Sequence, residues 1–296
     1  METNPVLGML GAMTALGIDF VDRGHMVADG QLRRFDVEGD RRGSKNGWCV
    51  LHQAHGVAGS WRGGATCTWS AKSMAAMSRA ERDLHRQQIR QATTEALRLR
   101  EAEQQAAAKR AEVLWEKARP ASALHPYLVR KRIKPGQARQ QGPLLVLPII
   151  DLNGKLHGLQ YIDRDGSKRM LSGSNKRGHF IGVAGALPAD LIVIGEGFAT
   201  CATVAREFPG AAVLAAIDAG NLLPVARAVR SGYPSAHIVM VADDDRLTPG
   251  NPGLTKAREA AGAIHGKLAR PVWPPGIPIE ATDFNDLAVY LEERHG

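Results

Sequence analysis

From residue 189 to the C-terminus, short apolar runs alternate with segments of helical character, and this alternation constrains the fold more than any other feature. The runs LIVIG, AAVLAAI and HIVMVAD are each followed by a helical segment, and a last helical segment begins at DFNDL. Apolar runs of roughly four to eight residues are typical of strands that are buried on both faces. The alternation therefore predicts a mostly parallel, Rossmann-like sheet in an α/β domain.

Two of these predicted strands end on acidic residues. The first, LIVIGEG, ends on Glu196, and the third, HIVMVADDD, ends on Asp243, Asp244 and Asp245. Ligands of an open parallel sheet bind at the carboxyl ends of its strands. Because successive residues of an extended chain point to opposite sides, we expect Asp243 and Asp245 to face one way and Asp244 the other. Glu196 and this pair predict an oxygen-rich site for one or two Mg²⁺ ions.

A single acid at a strand end is more often a helix cap or a turn residue, and Asp283 in DFNDL has the pattern of an N-cap. Three aspartates alone are also compatible with a solvated turn. The combination of Glu196 with a D-x-D pair on a later strand favours the metal site. Asp286 is a further candidate ligand, and Gly195 and Gly197 are expected to let a phosphate approach the backbone.

Upstream of residue 188, the sequence predicts three further parts. Residues 1–76 contain short apolar runs broken by turn signals, which is typical of a small α+β module. Residues 77–118 contain no Gly or Pro and are rich in Ala, Glu, Arg and Gln, so we expect a helical linker over residues 77–120. In residues 121–187, NG and DG turns separate β-rich runs and predict a meander of about three strands. Residues 188–296 form the predicted α/β domain.

The charge is distributed unevenly along the chain. Residues 121–187 hold 11 Lys and Arg against 3 Asp and Glu, whereas residues 188–296 hold 9 against 13. A basic block attracts phosphate backbones, although a solvated basic face is the alternative. The candidate phosphate-binding residues are Lys168, Arg169, Lys176 and Arg177, followed by Arg130, Lys131, Arg132 and Lys134.

Several classes of protein are disfavoured by the sequence. No apolar run approaches the roughly 18 residues of a membrane span, so we expect no membrane association. The three cysteines, Cys49, Cys67 and Cys201, form no CxxC pair, which argues against a zinc site and fits a cytoplasmic protein. The sequence lacks GxxxxGK[ST], so we expect no P-loop helicase within it.

Four segments together resemble the Toprim domain of plasmid- and phage-type primases, which are relatives of bacterial DnaG. They are IGEGFATCATV, AAIDAGNL, IVMVADDD and DFNDL. A strand ending in Glu and a later strand ending in DxD are the Toprim signature, and DAGNL and DFNDL are particular to the primase branch. Residues 144–180 resemble the subdomain that precedes Toprim in those primases. Residues 29–51 are similar to the leading module of conjugative-plasmid and mobile-element primases.

The resemblance implies a DNA primase, a DNA-directed RNA polymerase that makes short RNA primers from NTPs on single-stranded DNA during plasmid, phage or mobile-element replication. It implies Mg²⁺ or Mn²⁺ as cofactor, with Glu196, Asp243 and Asp245 as catalytic residues and metal ligands and Asp286 as an outer ligand. The implied partners are the template, NTPs and a separate replicative helicase, and we expect residues 1–76 to act in template recognition. Two alternatives stay open: a Toprim-type metal-dependent nuclease, and a non-catalytic nucleic-acid-binding replication protein.

Overall fold

The computed structural model describes residues 4–21, 26–40, 42–61 and 64–295. The chain divides into two units, Met1–Ala102 and Glu103–Gly296. The division into four parts that the sequence suggests stays a prediction. Among the described residues, no helix is both long enough and apolar enough to cross a bilayer.

The first unit contains a four-stranded antiparallel sheet and two helices. The strands follow one another in the order of the sequence. The elements are α1 (Pro5–Thr14), β1 (Leu32–Phe35), β2 (Gly47–Leu51), β3 (His55–Ser60), β4 (Thr66–Ser70), a 3-10 turn (Met74–Ala76) and the start of α2 (Arg79–Lys117).

Side chains that alternate along β2 pack on opposite faces of this sheet. Cys49 and Leu51 share a core with Met9 and Met13 of α1. Trp48 and Val50 share another with Ala96 of α2. The sheet is therefore covered on both faces, as the period of two in a strand allows.

Helix α2 lies within the segment 77–120, where the sequence predicts a helical linker. It begins with a capping box, in which the Ser78 amide donates to the Glu81 carboxylate at 2.8 Å and the Glu81 amide donates to the Ser78 hydroxyl at 3.2 Å. These two bonds satisfy amide groups that the first helical turn leaves without partners.

The second unit begins with the last part of α2, which is followed by an antiparallel sheet in the order β5–β6–β7–β8–β9. Gly154 and Gly166 have φ values of 78° and 93° in the two turns of the β7–β8–β9 meander, which confirms the hairpins expected at NG and DG. The elements are β5 (Arg119–Pro120), α3 (Pro126–Arg130), β6 (Arg139–Gln141), β7 (Leu144–Ile150), β8 (Leu156–Ile162) and β9 (Lys168–Met170).

A second, mostly parallel sheet in the order β10–β12–β11–β13–β14 confirms the predicted α/β fold. Only β10, at one edge, runs antiparallel to its neighbour among the described strands. The elements are β10 (Ile181–Ala184), β11 (Leu191–Gly195), α4 (Phe198–Val204), β12 (Ala212–Ala215), α5 (Ala219–Gly232), β13 (His237–Val241), α6 (Pro252–Ala263), β14 (Lys267–Ala269) and α7 (Phe284–His295).

The two faces of the parallel sheet contribute to two separate cores. Val193 of β11 packs with Leu147 of the antiparallel sheet and with Phe198 of α4. Ile192 of β11 packs with helices α5 and α6, for example with Val225. Burial on both faces explains why these strands are continuously apolar, and it leaves their carboxyl ends as the place where polar residues gather.

Candidate active site

Acidic residues follow the carboxyl ends of three adjacent parallel strands. Strand β11 lies between β12 and β13. Glu196 follows β11, Asp218 lies beyond the end of β12, and Asp243 lies beyond the end of β13. The topology thus brings together residues that are up to 47 positions apart in the chain, as the sequence predicts for Glu196 and Asp243.

Glu196 is partly buried and surrounded by negative charge. Burial, followed by the carboxylates of Asp245 and Asp218, raises the pKa of Glu196 to about 7. Lys168 and a hydrogen bond from the backbone amide of Ala219 oppose this rise. Because Ala219 is the first residue of α5, the positive end of that helix dipole faces the carboxylate.

Asp243 has the most perturbed environment of the acidic turn. Its Oδ1 atom is inaccessible to solvent and accepts no hydrogen bond from any described residue. Burial, followed by repulsion from Asp283, Glu196 and Asp245, raises the pKa of Asp243 to about 8. A buried carboxylate oxygen without a donor is unfavourable unless a proton or a cation compensates it.

This arrangement fits a divalent cation. An oxygen atom without a donor, next to carboxylates that repel one another, is the environment in which Mg²⁺ replaces protons. Within the part of the chain that the structure describes, no three His, Cys, Asp or Glu side chains are already gathered into a metal-ligand set. The features that favour a cation are therefore the unpaired oxygen of Asp243 and the mutual repulsion of Glu196, Asp243 and Asp245.

The other two aspartates of the turn have defined partners. The Asp245 carboxylate accepts a hydrogen bond from the Gly253 amide at 2.9 Å, near the start of α6. Asp244 is buried, and its carboxylate accepts hydrogen bonds from Trp273 and Asn251. Burial would raise the pKa of Asp244, but these two hydrogen bonds, together with the charges of Arg270 and Arg246, hold the pKa below its ordinary value.

Two of the predicted basic residues lie at the acidic edge. The positive charge of Lys168, at the start of β9, lowers the pKa of both Glu196 and Asp243 and so opposes the rise caused by burial. A β carbon at Gly197 would lie 3.5 Å from the Lys168 ammonium nitrogen, so this lysine lies beside the backbone that follows Glu196. Lys176 forms an ion pair with Asp218.

The remaining residues of this basic segment lie elsewhere. The Arg169 guanidinium lies 5.0 Å from the centroid of the Tyr161 ring. Arg177 is exposed in the loop that carries Lys176. Their contacts with nucleic acid stay predictions.

The basic run at residues 130–134 has structural partners in the second unit. Lys131 forms an ion pair with Asp286 at 3.0 Å. Arg132 forms ion pairs with Glu292 and Glu293 of α7. These charges are largely neutralised by α7, and their contact with nucleic acid stays a prediction.

The two ends of this run differ from Lys131 and Arg132. Arg130 donates a hydrogen bond to the Arg164 carbonyl at 3.0 Å. Lys134 is exposed. The contact of Arg130 and Lys134 with nucleic acid likewise stays a prediction.

Asp286 and Asp283, at the start of α7, have different partners. The Asp286 carboxylate accepts from the Thr282 amide at 3.0 Å and pairs with Lys131, and its role as an outer metal ligand stays a prediction. Asp283 is the N-cap, because its carboxylate accepts from the Asp286 amide at 2.8 Å. Its other oxygen accepts from the Thr200 hydroxyl at 2.8 Å, and its charge also reaches Asp243.

The glycine before Glu196 has a packing role that differs from the expected one. A β carbon at Gly195 would lie 2.6 Å from Cγ2 of Val241 and 2.7 Å from Sγ of Cys201. Gly195 is therefore required by the contact of α4 with β11 and β13, whereas a phosphate approach was expected there.

Three residues of this edge were missed by sequence reasoning. Asp218 and Asn221 belong to DAGNL, a third strand-to-helix junction whose acid was the available signal. The Asn221 amide donates to the carbonyl groups of Lys176, His179 and Ala216 at 2.8–2.9 Å, which fixes the loop that carries Lys176. The third is Asp283, because a sequence does not show that an N-cap also faces a distant carboxylate.

Comparison with known proteins finds similarity over the region that contains these acidic residues. Residues 191–290 match the family model described as the Toprim domain. A DNA primase TraC from Escherichia coli is 39% identical over 267 residues, which cover 85% of this chain and 25% of that protein. A second DNA primase TraC from Escherichia coli is 35% identical over 267 residues, covering 85% of this chain and 18% of that protein.

The chain thus spans about a quarter or less of the length of these relatives. A solved structure of the DnaG primase catalytic domain bound to single-stranded DNA is 13% identical, with a TM-score of 0.41, and covers 66% of this chain and 77% of that chain. A similarity at this level carries no argument about the chemistry of this chain.

Proposed function

This chain carries a Toprim domain and is related to the TraC primases, and from that premise we propose that it is a DNA primase. It joins NTPs into short RNA primers on single-stranded DNA during the replication of a plasmid, phage or mobile element. The observation that carries the proposal is the crowding of Glu196 and Asp243 at one edge of the parallel sheet, with Lys168 beside them.

Glu196, Asp243 and Asp245 would hold Mg²⁺ or Mn²⁺ at this edge. When bound, the ions lower the pKa of the attacking 3′-hydroxyl and neutralise the negative charge on the pyrophosphate leaving group. The inaccessible Oδ1 of Asp243 is the oxygen atom that most requires such a ligand. Asp245 is held by the Gly253 amide through one oxygen, Oδ2, and its other carboxylate oxygen, Oδ1, is the one we assign to the ion.

Glu196 is the residue that we assign to accept the proton of the attacking hydroxyl. Its pKa of about 7 lies near neutral pH, where a carboxylate combines sufficient basicity with a substantial ionised fraction. Metal ligation is the alternative role of Glu196, because a bound cation lowers the pKa of its ligand and weakens that ligand as a base.

Lys168 and Lys176 are suited to bind the triphosphate of an incoming nucleotide. Lys168 already balances part of the negative charge around Glu196. Lys176 is held by Asp218 and by the loop that Asn221 fixes. A bound triphosphate would compete with Asp218 for Lys176 because both are anionic.

Template binding is assigned to the basic residues of the second unit and to the N-terminal module. In the first unit, the Trp61 ring is flanked by the guanidinium groups of Arg34 at 4.5 Å and Arg100 at 5.5 Å. An aromatic ring with adjacent positive charge is a common element of single-strand binding sites. A separate replicative helicase would supply the unwound template.

We place the reaction in the cytoplasm. Cys49, Cys67 and Cys201 are all buried and free, which suits a reducing compartment.

Primer synthesis on circular single-stranded DNA tests this proposal. The protein is incubated with labelled NTPs and Mg²⁺ or Mn²⁺, and the products are separated on a denaturing gel. We expect short oligoribonucleotides that Asp243→Ala and Glu196→Ala abolish, whereas Glu207→Ala, an exposed acid of the same domain, leaves them. Degradation of the template without synthesis would favour a nuclease, and synthesis that survives both substitutions would refute the site.

A further inference from the structure

Asp244 is the member of the acidic turn that the proposed chemistry leaves without a role. It is only 5% exposed, yet it carries a charge. Oδ1 accepts a hydrogen bond from the Asn251 side-chain amide at 2.6 Å, and Oδ2 accepts one from the Trp273 indole at 2.7 Å. A buried carboxylate with both oxygens occupied is a structural connector, because such groups persist only when their partners are fixed.

The contact with Asn251 connects Asp244 to its neighbour Asp245. The Asn251 side-chain oxygen accepts from the Asp245 backbone amide at 2.9 Å and caps α6 by accepting from Leu254 at 3.4 Å. One side chain therefore holds the carboxylate of Asp244, the backbone of Asp245 and the start of α6 in a single arrangement.

The contact with Trp273 connects Asp244 to the segment that leads into α7. The Arg246 guanidinium lies 4.3 Å from the centroid of the Trp273 ring and donates to the carbonyl groups of Pro278 and Ala281, both at 2.9 Å. The Asp244 amide donates to the Thr282 carbonyl at 2.6 Å.

The residue after Thr282 is Asp283, whose carboxylate is held by Thr200 of α4. Asp244 therefore ties together two segments that both bring acids to the site. One is the turn that carries Asp243 and Asp245, and the other is the segment that ends at Asp283.

We propose that Asp244 is a positioning residue for the metal-binding acids: its hydrogen bonds to Asn251 and Trp273 fix Asp243 and Asp245, and the neighbouring Asp283, in the geometry that binds the divalent cation. The inference deepens the proposed function and rests on it for its catalytic consequence. It assigns Asp244 no contact with the substrate or the metal.

A carboxylate is required here because both partners donate. The Trp273 indole can only donate, so an amide at position 244 must turn its oxygen towards Trp273. Its NH₂ group would then face the NH₂ group of Asn251. If Asn251 rotates to present its oxygen, the amide of Asp245 loses its acceptor.

This geometry defines a reciprocal exchange as the test. Asp244→Asn places two donors against each other, and Asn251→Asp places two carboxylates against each other. In the double variant, the amide at 244 donates to the carboxylate at 251, whose second oxygen accepts from Asp245. Trp273→Phe is a milder variant, because it removes the N–H and keeps an aromatic ring beneath Arg246.

The readouts are Mn²⁺ binding, measured by the loss of the free-ion electron paramagnetic resonance signal, and kcat and KM in primer synthesis. Circular dichroism and thermal unfolding confirm that each variant is folded at the assay temperature. We expect Asp244→Asn and Asn251→Asp each to weaken Mn²⁺ binding and lower kcat by roughly 10- to 100-fold, which is the usual cost of losing a residue that orients metal ligands. KM for the DNA template should stay unchanged, and the double variant should recover most of both losses.

Wild-type Mn²⁺ affinity and kcat in folded Asp244→Asn, or no recovery in the folded double variant, would overturn the inference. Should Asp244→Asn fail to fold, unchanged Mn²⁺ binding and kcat in Trp273→Phe would overturn it equally. Wild-type protein that binds Mn²⁺ but makes no primers counts against the proposed function alone, because the binding measurement still tests the role of Asp244.

Discussion

Replacing Asp243 by Asn should stabilise the metal-free protein in a pH-dependent manner. The Asp243 carboxyl has its pKa raised from 3.8 to about 8, so the folded state retains a proton that the unfolded state releases. The cost of ionising this group is therefore absent below about pH 4, grows as the pH rises and is complete above about pH 8. An Asn side chain never ionises and escapes this cost.

The size of the effect follows from the same shift. Raising the pKa from 3.8 to about 8 corresponds to an upper limit of about 6 kcal/mol in the free energy of unfolding. Relaxation of neighbouring carboxyl groups reduces this value, and we expect about 2 kcal/mol at pH 8. For a unit of this size, that change raises Tm by roughly 4–8 °C.

The assay is thermal unfolding in EDTA at about pH 5 and about pH 8, repeated with excess Mg²⁺. The Tm of Asp243→Asn should be higher than that of the wild type at pH 8, and the difference should be much smaller at pH 5. With Mg²⁺ in about 100-fold excess over Kd, the wild type should gain about 2.7 kcal/mol that the variant lacks. The matched control is Asp190→Asn, which replaces an exposed acid at the opposite end of β11. It should change neither the Tm in EDTA nor the stabilisation by Mg²⁺.

Two results would contradict this expectation: an Asp243→Asn variant less stable than the wild type in EDTA at pH 8, or a stabilisation that is equal at both pH values. Either result would mean that the Asp243 carboxylate has a donor or a bound charge that compensates its burial.

Three further outcomes follow from the same site. Mg²⁺ affinity, measured by calorimetry, should rise between about pH 6 and 8.5, because protons compete with the ion for Glu196 and Asp243. Glu196→Gln should flatten this rise. An unchanged pH dependence in the variant would contradict the role of Glu196. Lys168→Ala should raise KM for NTP by about tenfold or more. The control Lys155→Ala, at an exposed hairpin tip, should leave this KM unchanged. Equal effects of the two substitutions would exclude a specific role for Lys168. Asn221→Ala removes three hydrogen bonds to carbonyl groups and should cost roughly 2–3 kcal/mol in urea unfolding; a wild-type midpoint would show that the loop is held by other contacts.

The sequence was sufficient to predict the parallel sheet and the strand ends that carry Glu196 and Asp243. Both features depend on local patterns, since apolar runs mark buried strands and an acid directly after such a run lies at the edge of the sheet. Strand β14 has only three residues, which is too short for a reliable periodic signal.

The partners of the charged residues could not be predicted from local sequence patterns. Lys131 pairs with Asp286, which is 155 residues away, and Arg132 pairs with Glu293, which is 161 residues away. A basic run looks the same in a sequence whether it faces phosphate groups or an acidic helix. Likewise, Asp244 differs from its neighbours only through Trp273 and Asn251, contacts that the fold creates.

The central claim is that the acidic edge transfers nucleotides to a growing primer, and the fate of the phosphate groups tests it most directly. Reactions on single-stranded DNA with NTPs labelled at the α-phosphate or at the γ-phosphate distinguish chain growth from other reactions. We expect the α-label at internal positions of short, template-dependent oligoribonucleotides and the γ-label in released pyrophosphate, with both signals absent in Asp243→Asn. Wild-type protein that releases no pyrophosphate and leaves the α-label in free nucleotides would contradict the account.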